Sequence, residues 1–171
     1  MPCYSVPLLK IPFSSPAQAP QFVANIFRNH STFLKMVAEE GGPSQNTLNA
    51  LVWYTHKTGH VSTTYATTIA TYNQAIMPLT DSIQHVPVDS KLTTAMAQTT
   101  LQQSQFVTPT CNVFPYILQI PGGSPSGSYF SNILQNAAIL YKNGVPILVG
   151  TDSLLTLIML IESSVWKLGP C

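Results

Sequence analysis

The sequence predicts an α/β fold built around a parallel sheet. Past the first residues, short apolar or β-branched runs alternate with segments whose apolar residues recur at helical spacing. The junctions between them carry helix-capping residues or glycine, the pattern of strands joined by crossover helices. At 171 residues the chain is one domain's worth and long enough to bury a core.

Residues 1–19 form a proline-rich segment set apart from the domain expected over residues 20–171. This segment has neither the basic start nor the unbroken apolar run of a secretion signal. "PQFVANIFRN" (20–29) reads as a helix and "TFLKMV" (32–37) as a short apolar strand. Ser44 is placed to cap a helix over 45–58, in which Leu48, Leu51, Val52 and Thr55 share a face, and Gly59 stops it. "HVSTTY" (60–65) is rich in β-branched residues, "TTIATYNQAI" (67–76) returns to helical spacing, and "DSIQH" (81–85) is the next strand. Ser90 is expected to cap a helix running to about Gln103, ahead of the strand "QFVTP" (105–109). The proline- and glycine-rich stretch over 110–127 is long enough to be a functional flap. A helix over 129–142, the strand "VPILVG" (145–150) and a last apolar, helical stretch complete the order.

Composition excludes some functions. Charged residues make up 8% of the chain against 45% hydrophobic, and the net charge is +1, so no basic footprint for nucleic acid is present. A surface this poor in charge has to draw on Ser, Thr, Asn and Gln, and it leaves apolar area to meet other protein. The apolar run at residues 154–161 is shorter than the about 20 residues that span a bilayer. Cys3, Cys111 and Cys171 are odd in number and widely spaced, which fits neither a disulfide framework nor a thiolate zinc site. A soluble, cytoplasmic chain in a reducing compartment is expected. In "GGSPSG" (122–127), Pro125 stands where a nucleophile elbow needs serine and no Gly-Lys-Ser/Thr follows, so this is loop.

Parallel α/β sheets place their chemistry at the carboxyl ends of the strands. Those positions hold Lys35, Tyr65, His85, Pro109 with Thr110, and Asp152. Taken singly, each has an ordinary structural use. His85 serves as a hydrogen-bonded strand-end histidine, Asp152 as a helix cap, and Lys35 as a lysine laid along apolar surface.

Taken together, "FLKMVAEEGGPS", "TLNALVWYTHKTGHVSTTYATTIATYNQAI", "DSIQHVP" and "GVPILVGTDS" resemble the metal-dependent amidohydrolase superfamily, in particular its imidazolonepropionase-like and prolidase-like branch. The resemblance covers roughly residues 20–153. It implies a partial TIM-type (β/α)8 barrel, to which this chain supplies about strands four to eight with their helices. It also implies Lys35, His85 and Asp152 as ligands of a divalent metal, zinc being expected, with Lys35 converted to a carbamate. Asp152 and His85 are the implied catalytic residues: Asp152 takes the proton of the attacking water, and His85 serves as ligand or carbonyl polariser. The implied reaction is hydrolysis of an amide or cyclic amide C–N bond in a small-molecule substrate. Where the family reads His-Ala-Thr, this chain has Tyr65-Ala66-Thr67, and no His-x-His occurs, so one metal rather than two is expected. His56, inside a helix, and His60, at the amino end of a strand, lie away from the strand-end chemistry.

Two other functions compete with this one. The first is a catalytically inactive remnant acting as a binding or assembly module, self-associating through open sheet edges. The second is a metal-free lyase or isomerase using Lys35 or Tyr65 as the acid/base group.

Overall fold

The computed structural model describes residues 15–111 and 127–152. Ser15 accepts a hydrogen bond from Ala17 N and its own N–H donates to Gln18 Oε1, opening a 3₁₀ turn (Pro16–Gln18) that runs into α1 (Ala19–Arg28). Then follow β1 (Phe33–Val37), α2 (Gln45–Lys57), β2 (Val61–Tyr65), α3 (Ile69–Ile76), β3 (Ser82–Gln84), α4 (Thr94–Gln102), β4 (Phe106–Thr108) and α5 (Gly127–Lys142). The four strands pair in chain order and all run parallel, with Lys35 opposite Thr63, Thr63 opposite Ser82, and Ser82 opposite Phe106. The expected α/β architecture, part of a (β/α) barrel, is the one that forms. Ser44 caps α2 as its sequence position predicts, by accepting from Thr47 N. The helices give way to the chain beyond them through left-handed residues, namely His30, Gly59, Leu79, Ser104 and Gly144.

Strand side chains alternate between two faces. On the outer face, Leu34 and Met36 pack with Ala19 and Val23 of α1 and with Leu48, Leu51 and Val52 of α2. Ile83 and Val107 pack with Tyr72 and Ile76 of α3, Ala97 of α4, and Ile133 and Leu140 of α5. Between these two apolar clusters runs a hydroxyl seam under β2. Thr64 Oγ1 donates to Thr80 Oγ1 (3.0 Å), Ser62 Oγ lies 3.3 Å from the same atom, and Gln105 Nε2 donates to Thr80 O (2.9 Å). The Ser, Thr and Gln expected to clothe the surface are thus partly spent inside.

The inner face is open. Phe33, Val37, Val61 and Phe106 are each between 37% and 54% exposed. Phe33, Val61 and Phe106 border a cavity of about 450 Å³ also lined by Lys35, Thr63 and Gln84. Among the described residues no helix is long and apolar enough to cross a membrane.

Two expectations fail locally. The helix after β3 is capped by Thr93, which accepts from Met96 N, and not by Ser90, whose carbonyl is taken by Asn136 Nδ2 at 2.8 Å. The strand expected over 145–150 shrinks to one parallel bridge between Val107 and Ile147. Val107 N donates to Pro146 O and Leu148 N donates to Val107 O. The next rung would need an amide hydrogen on residue 109, and Pro109 has none. Most of the expected flap (112–126) and the apolar stretch from 153 onward lie outside the described residues.

At the amino-terminal ends of β2 and β3 a single carboxylate oxygen ties three elements together. Asp81 Oδ2 accepts from Ser62 N (2.7 Å), Ser62 Oγ (2.9 Å) and His56 Nε2 on α2 (2.8 Å). Burial alone would raise the Asp81 carboxyl, but the hydrogen bonds from His56 and Ser62 outweigh it and hold the group below its ordinary value. Asp81→Asn is therefore expected to cost about 1–3 kcal/mol in urea unfolding at pH 7. The carboxylate's contribution is fully present above the unfolded value of about 4 and is lost as pH falls through the lower folded value. The wild-type advantage over the variant should accordingly shrink below about pH 4.

Candidate functional site

The ladder between β3 and β4 continues one residue past β3, because His85 N–H donates to Thr108 O at 2.8 Å. His85 then turns left-handed, at φ 73, and Thr110 and Asp152 do the same at φ 48. Among the described residues these are the positive-φ positions, glycine aside, that do not follow a helix. All three sit beyond strand ends, and His85 touches the other two. His85 Nδ1 is hydrogen-bonded to Thr110 Oγ1, and His85 Nε2 lies 3.5 Å from Asp152 Oδ2. Thr110 Oγ1 donates in turn to Pro109 O at 2.8 Å. The Tyr65 ring meets the imidazole edge to face, with centroids 4.7 Å apart and planes at 78°.

Burial separates the roles of these groups. His85 is 2% exposed, whereas the Asp152 side chain is 50% exposed. Burial pushes the imidazole pKa down to about 4; the Asp152 carboxylate opposes this and the Lys35 charge assists it. The ring is therefore neutral at pH 7, with hydrogen on one of its two nitrogens.

The loop that carries His85 is clamped from two sides. Asn136 of α5, fully buried, donates from Nδ2 to Pro87 O (2.7 Å) and Ser90 O (2.8 Å), and its Oδ1 accepts from Leu92 N (2.7 Å). Asn132 donates to Val88 O, and Asp89 Oδ1 accepts from Ile69 N at the start of α3. Asp152 is brought in by a close pass of the backbone: a Cβ on Gly150 would lie 2.7 Å from Thr108 Cγ2.

Of the strand-end residues the sequence singled out, Tyr65, Thr110 and Asp152 all meet His85. Lys35 stands lower on the inner face of β1, opposite Thr63, and acts on His85 through its charge. His56 is engaged by Asp81, and His60 stacks on Phe27 with centroids 3.6 Å apart. Cys111, next to Thr110, has its thiol pushed up by burial, which keeps it from serving as a thiolate. Among the described residues no three His, Cys, Asp or Glu side chains gather as a metal cluster. The His85–Asp152 pair itself fits two neighbouring metal ligands, since N and O donors on a tetrahedral zinc stand about 3.3 Å apart. Lys35 is the remaining candidate donor. Thr110 carried a strand-end position in the sequence but no role. Asn136, more than forty residues from the loop it holds, left no local signal.

No protein-family model and no curated protein matches the sequence. Solved structures do match the fold. A Xaa-Pro dipeptidase with methionine bound in its active site superposes with a TM-score of 0.68 at 17% identity, over 82% of this chain and 39% of its own. Ochratoxinase from A. niger gives 0.70 at 17% identity, over 82% of this chain and 35% of its own. Molinate hydrolase gives 0.63 at 18% identity, over 88% and 36%. The chain spans less than two fifths of the length of each of these three. The likeness is one of fold, and it agrees with the amidohydrolase-type barrel that the motifs resemble.

If the Asn136 clamp holds the His85 loop, Asn136→Ala leaves Leu92 N–H and the Pro87 carbonyl buried without their partner. The expected loss is about 2–4 kcal/mol, read as a lower urea midpoint at unchanged slope.

Proposed function

We propose that the chain carries the metal-binding end of an amidohydrolase-type barrel, and that it hydrolyses an amide or cyclic amide C–N bond in a small molecule. One observation supports this above the others: a buried neutral imidazole presents Nε2 to a half-exposed carboxylate oxygen 3.5 Å away, at the carboxyl edge of a parallel sheet. His85 and Asp152 would hold a single divalent cation, zinc first, with Lys35 as third donor in its carbamate form. When bound, such a cation polarises a carbonyl oxygen for attack. The residues of the chain divide the remaining work. Buried and tied through both its backbone and Nδ1, His85 sets the position of the site. Asp152, open to solvent on one side, accepts the proton of the attacking water at its carboxylate. Tyr65 covers one side of the imidazole and keeps water from it.

The test is metal content of the purified chain by plasma mass spectrometry, beside His85→Ala and Asp152→Ala. Near one equivalent of zinc is expected in the wild type and little in either variant. Negligible metal in a sample that still melts cooperatively would overturn the reading.

The open inner face favours a second reading, assembly in place of catalysis. Rows of Phe33, Val37, Val61 and Phe106 lie exposed on a sheet whose β1 edge has no neighbouring strand among the described residues. Under this reading a second copy of the chain covers that face. Light scattering should then give a defined dimer, which Phe33→Ser with Phe106→Ser returns to monomer, whereas a monomer at all concentrations removes the idea.

A further inference from the structure

We infer that Thr110 is a positioning residue that fixes the tautomer of His85, and thereby aims the Nε2 lone pair at Asp152. The inference draws its ligand from the reading proposed above, and its geometry from hydrogen bonding alone.

A threonine hydroxyl has one hydrogen to give. Thr110 Oγ1 gives it to Pro109 O, a carbonyl that can only accept, at 2.8 Å. With its hydrogen on Pro109 O, the same oxygen offers His85 Nδ1 a lone pair, and this arrangement puts the ring hydrogen on Nδ1. A neutral imidazole has a single N–H, so in this tautomer Nε2 carries no hydrogen. It faces Asp152 Oδ2 at 3.5 Å.

This is the opposite of the arrangement a histidine and an aspartate reach unaided. Left alone, the ring would protonate Nε2 and donate to the carboxylate, an attractive contact that closes the space between them. Thr110 withholds that arrangement, because Nδ1 would then be an acceptor facing an acceptor. Two electron-rich atoms are thus held face to face in a site where the imidazole is 2% exposed, an arrangement that favours a positive charge between them. The backbone is shaped to the same end. Thr110 is β-branched yet sits at φ 48, a strained conformation that places its hydroxyl between Pro109 O and the ring. Metal-binding histidines commonly donate their second ring N–H to an oxygen that fixes the tautomer, and here a hydroxyl relayed to a carbonyl fills that place.

The tautomer can be read directly in the metal-free, ¹⁵N-labelled chain at pH 7 from long-range proton–nitrogen correlations of the imidazole. The wild type is expected to show hydrogen on Nδ1. Thr110→Val and Thr110→Ala, which lack the hydroxyl, should move it to Nε2, and Thr110→Ser should keep it on Nδ1. Zinc titration by calorimetry should follow the same order, with binding about 10–100-fold weaker in the Val and Ala variants and largely retained in Ser. Hydrogen on Nε2 in the wild type overturns the inference, as does an unchanged tautomer in both hydroxyl-free variants. A wild type with hydrogen on Nδ1 that takes up no zinc would overturn the metal reading, while the move to Nε2 in the variants would still support the hold of Thr110 on the ring.

Discussion

The hydrogen bond from His85 N–H to Thr108 O is the point on which the site depends. It carries the parallel ladder one residue beyond β3, so that His85 stays tied to the sheet while its backbone has already turned left-handed. Without that rung the strained residue would have no reason to hold its φ, since such conformations persist only where the surroundings over-determine them. The surroundings here come from several directions: Tyr65 from β2, Thr110 beyond β4, Asp152 after the Val107–Ile147 bridge, and the Asn136 clamp from α5. Sheet register is what makes them converge. Tyr65, Gln84 and Thr108 stand level across β2, β3 and β4, so the residues that follow each strand emerge at one edge.

A chain with so little charge manages its polar groups by placing them between helices and sheet. Thr64, Thr80, Thr100, Gln105 and Asn136 are buried. Their donors bond one another and backbone carbonyls, as low-dielectric surroundings require. The apolar residues divide correspondingly. One set fills the two clusters under the helices, and the other lies exposed across the inner face. Structures of the same fold are more than twice as long as this chain, which is the physical context for a sheet covered on one side.

The likeness in fold cannot by itself carry an activity, because chemistry resides in side chains placed on a scaffold. What distinguishes this edge is its particular set of groups. A tyrosine stands where the resembling family has a histidine, and its ring lies against His85 instead of offering a nitrogen. Among the described residues an imidazole and a carboxylate stand 3.5 Å apart, with a lysine charge felt from lower on the sheet.

The sequence by itself determined the alternation of strands and helices and most of their limits. It also placed the Ser44 cap, the exit at Gly59, and the strand-end positions of His85 and Asp152. All of these rest on residues within one or two turns of each other, where periodicity and capping leave a local mark. Tertiary structure alone decided the rest. Ser90 loses its cap because Asn136 of a distant helix claims the backbone around it, so the helix begins after Thr93. The last strand stops at a single bridge because its partner strand runs into Pro109, which has no hydrogen to give. The pairing of His85 with Thr110 and Asp152 likewise joins residues 25 or more positions apart, through backbone turns that no local pattern encodes. Hydrogen bonds of that reach are set by how the elements pack, which is why they become visible only once the chain is folded.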